Sequence, residues 1–98
     1  MADDVVALDA LDGTVAPVFD GDPRVVRLSL SAGEERPRHS HPDRVVVCHV
    51  VEGRLDLRLD GDPLEVGAGE LVRFDGAREV APRALDDTRA VLVLAATS

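Results

Sequence analysis

The chain has no tryptophan, no tyrosine and only two phenylalanines among its 98 residues. Proteins that bind single-stranded nucleic acid or carbohydrate stack aromatic side chains on their ligands, so this scarcity argues against both classes. Lysine is also absent: all 11 basic residues are arginine, against 19 acidic residues, which gives a formal net charge of −8. Such a surface repels phosphate backbones and anionic lipid headgroups. We therefore expect neither a nucleic acid nor a membrane as a partner.

The acidic residues are unevenly divided, with 13 aspartates and 6 glutamates. An aspartate-rich surface without lysine is typical of proteins from high-salt cytoplasms, where strong screening reduces the repulsion between carboxylates. Coding by GC-rich codons gives the same absence of lysine. The composition therefore predicts a halophilic protein but leaves the second explanation open.

Cysteine and targeting signals are also scarce. The lone Cys48 excludes an intramolecular disulfide. The first residues are acidic, no apolar segment of a signal peptide follows them, and no run approaches the about 20 apolar residues of a transmembrane helix. We expect a cytoplasmic protein, and 98 residues predict one domain, 1–98.

In many short segments of the chain, apolar and polar residues alternate with a period of two. Turns rich in Gly, Pro and Asp separate these segments. The clearest strands are predicted at residues 25–30 and 55–59, and residues 82–88 are predicted to be a loop. No window of ten residues has a convincing helical period. The pattern predicts an all-β sandwich or barrel. Residues 14–19 carry Pro17, which predicts an edge strand or a bulge, because proline cannot donate a hydrogen bond to a sheet.

Two histidines stand out between a turn and a run of β-branched residues. His39 and His41 are separated by one residue and precede the apolar residues 45–48. On a strand, residues i and i+2 point to the same face, so both imidazoles can approach one point, as a shared metal ion requires. No carboxylate follows among the residues of the apolar run to complete such a site.

These residues resemble the first motif of the cupin superfamily, G-x5-H-x-H-x3,4-E-x6-G. Gly33, His39, His41 and Gly53 occupy matching positions, but Val46 stands where the family has glutamate. The chain is also similar to small cupins of halophilic archaea. The resemblance implies a double-stranded β-helix, a jelly-roll-like barrel, with its core at about residues 24–96 and N-terminal strands within residues 4–20.

The second cupin motif, G-x5-P-x-G-x2-H-x3-N, can be placed from Gly69 onward, but its other marked positions differ. Asp75, Ala77, Val80 and Ala84 replace the proline, glycine, histidine and asparagine in that order. The resemblance implies a metal held by three histidines and one glutamate, and two of those four positions are valines here. Two imidazoles alone hold a divalent transition metal such as Zn, Ni, Cu or Fe weakly. The sequence therefore favours a protein that is not an enzyme.

Substitute ligands have to be considered. If Val46 faces the barrel interior, Cys48 does too while His49 faces outward, and His39, His41 and Cys48 would make a soft site for Zn or Cu. We prefer the alternative that Cys48 is a small core residue. Asp75 and Glu79 are further candidate carboxylate ligands.

Two arginines flank the histidines. Arg36 and Arg38 are candidates to anchor an anionic ligand, because a guanidinium binds a carboxylate through two hydrogen bonds. The candidate ligand-binding residues in the sequence are His39, His41, Arg38 and Cys48.

Three functions follow as hypotheses. The first is a binding protein that holds a small molecule, or a weakly held metal ion, in the barrel through His39 and His41. The second is a metal-dependent enzyme, a small oxygenase or isomerase with a substitute ligand set. The third is a structural or interaction protein with a vestigial pocket. We also expect a homodimer, because an N-terminal strand at residues 5–8 and the Pro17 edge strand can pair or exchange between subunits.

Overall fold

The computed structural model describes residues 4–97 and is built almost entirely of strands. In that part of the chain the strands are β1 Val15–Phe19, β2 Arg24–Leu30, β3 Arg44–Glu52, β4 Arg54–Asp56, β5 Glu65–Gly67, β6 Leu71–Asp75, β7 Arg83–Ala84 and β8 Thr88–Ala96. A single turn of 3-10 helix, Leu8–Ala10, precedes β1. No helix within residues 4–97 is long and apolar enough to cross a membrane.

The strands form two antiparallel sheets. One has five strands in the order β1-β2-β8-β3-β6, and the other has three in the order β5-β4-β7. Apolar side chains from both sheets meet in one core cluster, with Leu28, Val46 and Leu94 from the larger sheet and Leu55 and Val66 from the smaller. The prediction of an all-β barrel is confirmed.

Side chains alternate along β3 as the period of two predicts. Val46, Cys48 and Val50 are fully buried, whereas His49 between them is exposed. Each buried residue removes its apolar surface from water at the interface of the two sheets, and this burial is the main stabilising contribution to the fold. The prediction that Val46 and Cys48 share the inner face, and that His49 lies outside, is confirmed.

The N-terminal region contains one strand rather than several. The strand with Pro17 is β1, at the edge of the larger sheet, and its register with β2 shifts between Pro17 and Phe19. The expected strand at residues 5–8 is wrong, because residues 5–7 belong to no strand and Leu8 begins the 3-10 turn.

A buried arginine explains the turned N-terminal backbone. The Arg27 guanidinium donates hydrogen bonds to the carbonyl oxygens of Leu8 and Leu11, at 3.3 Å each, and of Gly13, at 2.6 Å. These three bonds hold the backbone of residues 8–13 around the Arg27 side chain.

The smaller sheet differs from the sequence prediction at two points. The strand expected at residues 55–59 ends at Asp56, whose Oδ1 accepts hydrogen bonds from the backbone N–H groups of Arg58 and Leu64. Arg58 has a φ of 48°, a left-handed conformation that interrupts a β-ladder. The loop expected at residues 82–88 contains the short strand β7, which pairs with β4.

Candidate functional site

The histidine segment is held in place by backbone hydrogen bonds to residues 76–82. The His39 N–H donates to the Val80 carbonyl at 3.1 Å, and the Val80 N–H donates back to the His39 carbonyl at 2.8 Å. The Arg36 N–H donates to the Pro82 carbonyl at 2.9 Å, and the His41 N–H to the Gly76 carbonyl at 2.6 Å. The segment is therefore fixed as one wall of the barrel, although its only strand-like pairings are isolated bridges.

Both histidines line a cavity of about 290 Å³ at one end of the barrel. Eleven of the lining residues are apolar, among them Val26, Leu28, Val46, Leu57, Phe74 and Val80. The other four are His39, His41, Arg24 and Arg36, and no aspartate or glutamate within residues 4–97 belongs to the lining. The cavity is thus an apolar chamber with imidazole and guanidinium groups as its polar part.

The two imidazole rings are close neighbours. Their centroids lie 4.9 Å apart and their planes are at 85°, an edge-to-face arrangement. Nδ1 of His39 lies 2.9 Å from the carbonyl oxygen of Pro37. A carbonyl oxygen only accepts, so Nδ1 carries the proton and Nε2 of neutral His39 is the nitrogen able to accept a hydrogen bond or bind a cation.

The charges around His41 disfavour its protonated form. Partial burial is the largest cause and lowers the pKa of His41 below its ordinary value of 6.5, and the neighbouring His39, Arg24 and Arg44 lower it further. His41 is therefore neutral at pH 7. The part of the shift that comes from His39, Arg24 and Arg44 reflects positive charge near the ring.

The positions of the missing cupin ligands lie in the same cavity. Val46 and Val80 both line it, and their side chains are 0% and 3% exposed. Neither can coordinate an ion, and within residues 4–97 no group of three or more His, Cys, Asp or Glu side chains is arranged to hold one. A catalytic Zn or Fe site needs about three protein ligands. The donor set present therefore does not fit the resident metal of a metallo-cupin.

Cys48 is not brought to the histidines. It pairs with Val72 and Leu92 in the larger sheet, is 0% exposed, and packs in the core cluster rather than in the cavity lining described for residues 4–97. Burial raises the pKa of its thiol to about 12, so the thiolate that would bind a metal is strongly disfavoured. The core role is the one the structure gives to Cys48.

The two candidate carboxylates point to other partners. Glu79 forms an ion pair of 2.6 Å with Arg38. Oδ1 of Asp75 accepts a hydrogen bond of 2.9 Å from the Ala77 N–H in a tight turn. Neither belongs to the cavity lining, so the structure assembles no substitute ligand set from them.

The arginines of the site are not the pair that the sequence suggested. Arg36 lines the cavity, but Arg38 lies outside it, with a side chain 72% exposed and paired with Glu79. Arg24, which the sequence analysis overlooked, takes part in the lining instead. The alternation along β2 indicates this position in the sequence. Arg24 is the first residue of β2, two residues before Val26 and four before Leu28, so it lies on the same inward face.

Comparison with known proteins places this geometry in context. Residues 26–96 match the family model of the cupin domain. No curated protein matches the chain significantly.

Solved structures superpose closely despite low sequence identity. An uncharacterised protein with a double-stranded β-helix domain from Klebsiella pneumoniae gives a TM-score of 0.86 at 17% identity, over 97% of this chain and 91% of that one. An RmlC-like cupin from Shewanella frigidimarina gives 0.78 at 15% identity, over 98% and 93%. A second RmlC-like cupin, from Desulfovibrio desulfuricans, gives 0.77 at 21%, over 97% and 92%. The similarity confirms the double-stranded β-helix fold.

Proposed function

This chain belongs to the cupin family, and we propose that it is a non-catalytic cupin that binds a small molecule at the open end of its barrel. The observation that carries the proposal is the chemistry of the cavity wall: eleven apolar residues, with His39 and His41 on its polar side. Ligand pockets in proteins combine a mostly apolar wall with a few polar groups that orient the ligand. The cavity of about 290 Å³ has this composition.

The valines support a binding role over catalysis by a metal. Val46 and Val80 add apolar surface where a metallo-cupin has two ligands, so a bound molecule gains contact area with the wall at the point where a metal would otherwise lie. A metal-dependent enzyme would need a third ligand that residues 4–97 do not bring together.

A weakly held divalent ion is a second candidate ligand for the same two side chains. The hydrogen bond from Nδ1 of His39 to Pro37 leaves Nε2 available, an arrangement common among metal-binding histidines. Two imidazoles give low affinity, and among divalent ions they prefer Cu²⁺ and Ni²⁺. Such an ion would exchange readily rather than remain through purification.

Thermal unfolding tests the proposal with four small probes: octanoate, octanamide, phenylacetate and phenylacetamide. A molecule that binds only the native state raises the melting temperature. Val26→Phe fills the cavity from β2, and Val25→Phe, on the neighbouring outward-facing position of the same strand, is the matched control. We expect at least one probe to stabilise the wild type and Val25→Phe but not Val26→Phe. Failure of all four to stabilise the wild type would contradict the proposal.

Homodimerisation, cytoplasmic location and adaptation to high salt stay predictions from the sequence.

A further inference from the structure

The arginines of this acidic protein fall into two groups. Six of them form ion pairs with aspartate or glutamate: Arg38, Arg54, Arg58, Arg78, Arg83 and Arg89. The remaining five have no such partner within residues 4–97: Arg24, Arg27, Arg36, Arg44 and Arg73. Among these five, Arg27 is accounted for by the backbone carbonyls that it binds.

Two of the unpaired arginines line the cavity. Arg24 and Arg36 both contribute to its wall, and no carboxylate does. The chain as a whole carries a formal charge of −8, so the cavity mouth is a local exception to an anionic surface. Positive charge at a cleft attracts anions and raises their local concentration. The lowered pKa of His41, to which Arg24 and Arg44 contribute, is consistent with this local positive potential.

The backbone fixes the positions from which both arginines reach the mouth. Arg24 lies opposite Leu94 in the pairing of β2 with β8. Arg36 is held by the hydrogen bond from its N–H to the Pro82 carbonyl, on the histidine-bearing wall. Guanidinium groups bind carboxylates through parallel charge-assisted hydrogen bonds, and two arginines without carboxylate partners of their own are free to make them.

The size of the cavity limits the ligand. A water molecule takes about 30 Å³ of the liquid, so a cavity of about 290 Å³ corresponds to roughly ten water molecules. A ligand of about ten non-hydrogen atoms therefore fits. With an apolar wall and a cationic mouth, such a ligand has an apolar body and one anionic end.

We propose that the ligand is a small monocarboxylate with an apolar body of about seven carbon atoms, whose carboxylate is bound by Arg24 and Arg36 while its body contacts the apolar wall around Val46 and Phe74. This inference rests on the proposed function and adds to it the chemical class of the ligand. It also assigns a binding role to Arg24, which lies outside the cupin motifs.

Calorimetric titration of octanoate and octanamide tests the inference, since the two differ in charge but have the same number of non-hydrogen atoms. Hydrogen bonds to charged groups justify an expected preference of at least about tenfold for octanoate in the wild type. In the double variant Arg24→Gln/Arg36→Gln we expect that preference to disappear while octanamide binds as before. Arg38→Gln, which removes one positive charge two residues from Arg36 but outside the cavity, should behave as the wild type.

The outcomes separate this inference from the proposed function. Equal affinity of the wild type for the two probes, or a preference that survives in the double variant, would overturn the monocarboxylate and leave the binding cavity standing. Binding of neither probe, with the same result for phenylacetate and phenylacetamide, would overturn both. Urea unfolding checks that each variant is folded, and the single variants Arg24→Gln and Arg36→Gln replace the double one if it is not. Each single variant is then expected to reduce the preference severalfold.

Discussion

The two halves of the barrel interior are built by the same strands but are filled differently. In the open half, Val46 of β3 and Leu94 of β8 face a cavity. In the packed half, Cys48 and Val50 of β3 and Ala90 of β8 are 0% exposed and fill the space between the sheets. A single alternating strand therefore supplies tight packing at one end and a ligand-sized opening at the other, four residues apart.

The chemistry of the two halves differs as much as the packing. The open half collects both motif histidines and two arginines without carboxylate partners in residues 4–97, whereas the buried polar Thr88 of the packed half is hydrogen-bonded to the carbonyl oxygens of Arg54 and Asp86. The Thr88 hydroxyl is thus hydrogen-bonded within the protein, whereas Nε2 of His39 remains able to bind a ligand in the open half.

Beside each half lies a glycine whose position leaves no room for a side chain. At Gly53, beside the packed half, an added Cβ would lie 2.8 Å from the Thr88 Cα, and the backbone has a φ of 86°. At Gly76, beside the open half, a Cβ would lie 2.6 Å from the Arg44 carbonyl oxygen. At both positions a side chain would collide with the backbone of a neighbouring segment, so both positions require glycine.

The largest expected effect concerns the packed half and is the slow reaction of the Cys48 thiol in the native protein. Burial raises the pKa of its thiol from 9.0 to about 12, which at pH 8 leaves about a thousandfold less thiolate than an ordinary cysteine has. We expect a thiol reagent such as Ellman's reagent to modify Cys48 in urea-unfolded protein but at least a thousandfold more slowly in the native protein. Comparable rates in the two states would show that the packed half is open to solvent.

Truncating two neighbouring leucines sharpens the comparison. Leu55 packs in the core away from the cavity, and Leu57 lines the cavity, yet both are essentially unexposed. Burial of this kind makes leucine-to-alanine substitutions cost about 2–5 kcal/mol, more where a new void is created. We expect Leu55→Ala near the upper end of that range and Leu57→Ala near the lower end, because its loss only enlarges an existing cavity. Urea unfolding measures both, and an equal or reversed order would remove the distinction between the halves.

The smallest expected effect is the pH dependence that His41 gives to the open half. Its pKa is lower in the folded protein than the ordinary 6.5, so the unfolded chain takes up the proton first as the pH falls. Stability that is present above pH 6.5 is therefore lost as the pH falls through the lowered pKa. We expect urea unfolding between pH 8 and pH 5 to show a steeper loss for the wild type than for His41→Gln. Parallel curves would mean that His41 is not in an electropositive, partly buried place.

Much of the fold follows from local patterns in the sequence. The inward positions of Val46 and Cys48, the outward position of His49, and the edge strand with Pro17 all depend on alternation or on the missing N–H of proline, and all are confirmed. The strand expected at residues 5–8 is wrong: residues 5–7 belong to no strand and Leu8 begins a 3-10 turn, with the Leu8 and Leu11 carbonyl oxygens bound by the Arg27 side chain. That contact joins residues 16 to 19 positions apart, which a local pattern does not contain.

The candidate site was only partly predictable for the same reason. The spacing of His39 and His41 indicates a shared location, and the motif identifies Val46 and Val80 as its other members. Alternation along β2 places Arg24 on the inward face, but its position at the cavity also depends on the pairing of β2 with β8, which is long-range. Arg36 lines the cavity, whereas Arg38 forms an ion pair with Glu79, a long-range contact that a local sequence pattern does not contain.

The central claim is that the open half is a binding cavity rather than a metal centre, and elemental analysis tests it most directly. The protein is purified without a histidine tag or nickel resin, alongside a His39→Ala/His41→Ala control. With Val46 and Val80 at two ligand positions, we predict far less than one equivalent of any transition metal in both samples. Near-stoichiometric metal in the wild type that is lost in the control would contradict the account.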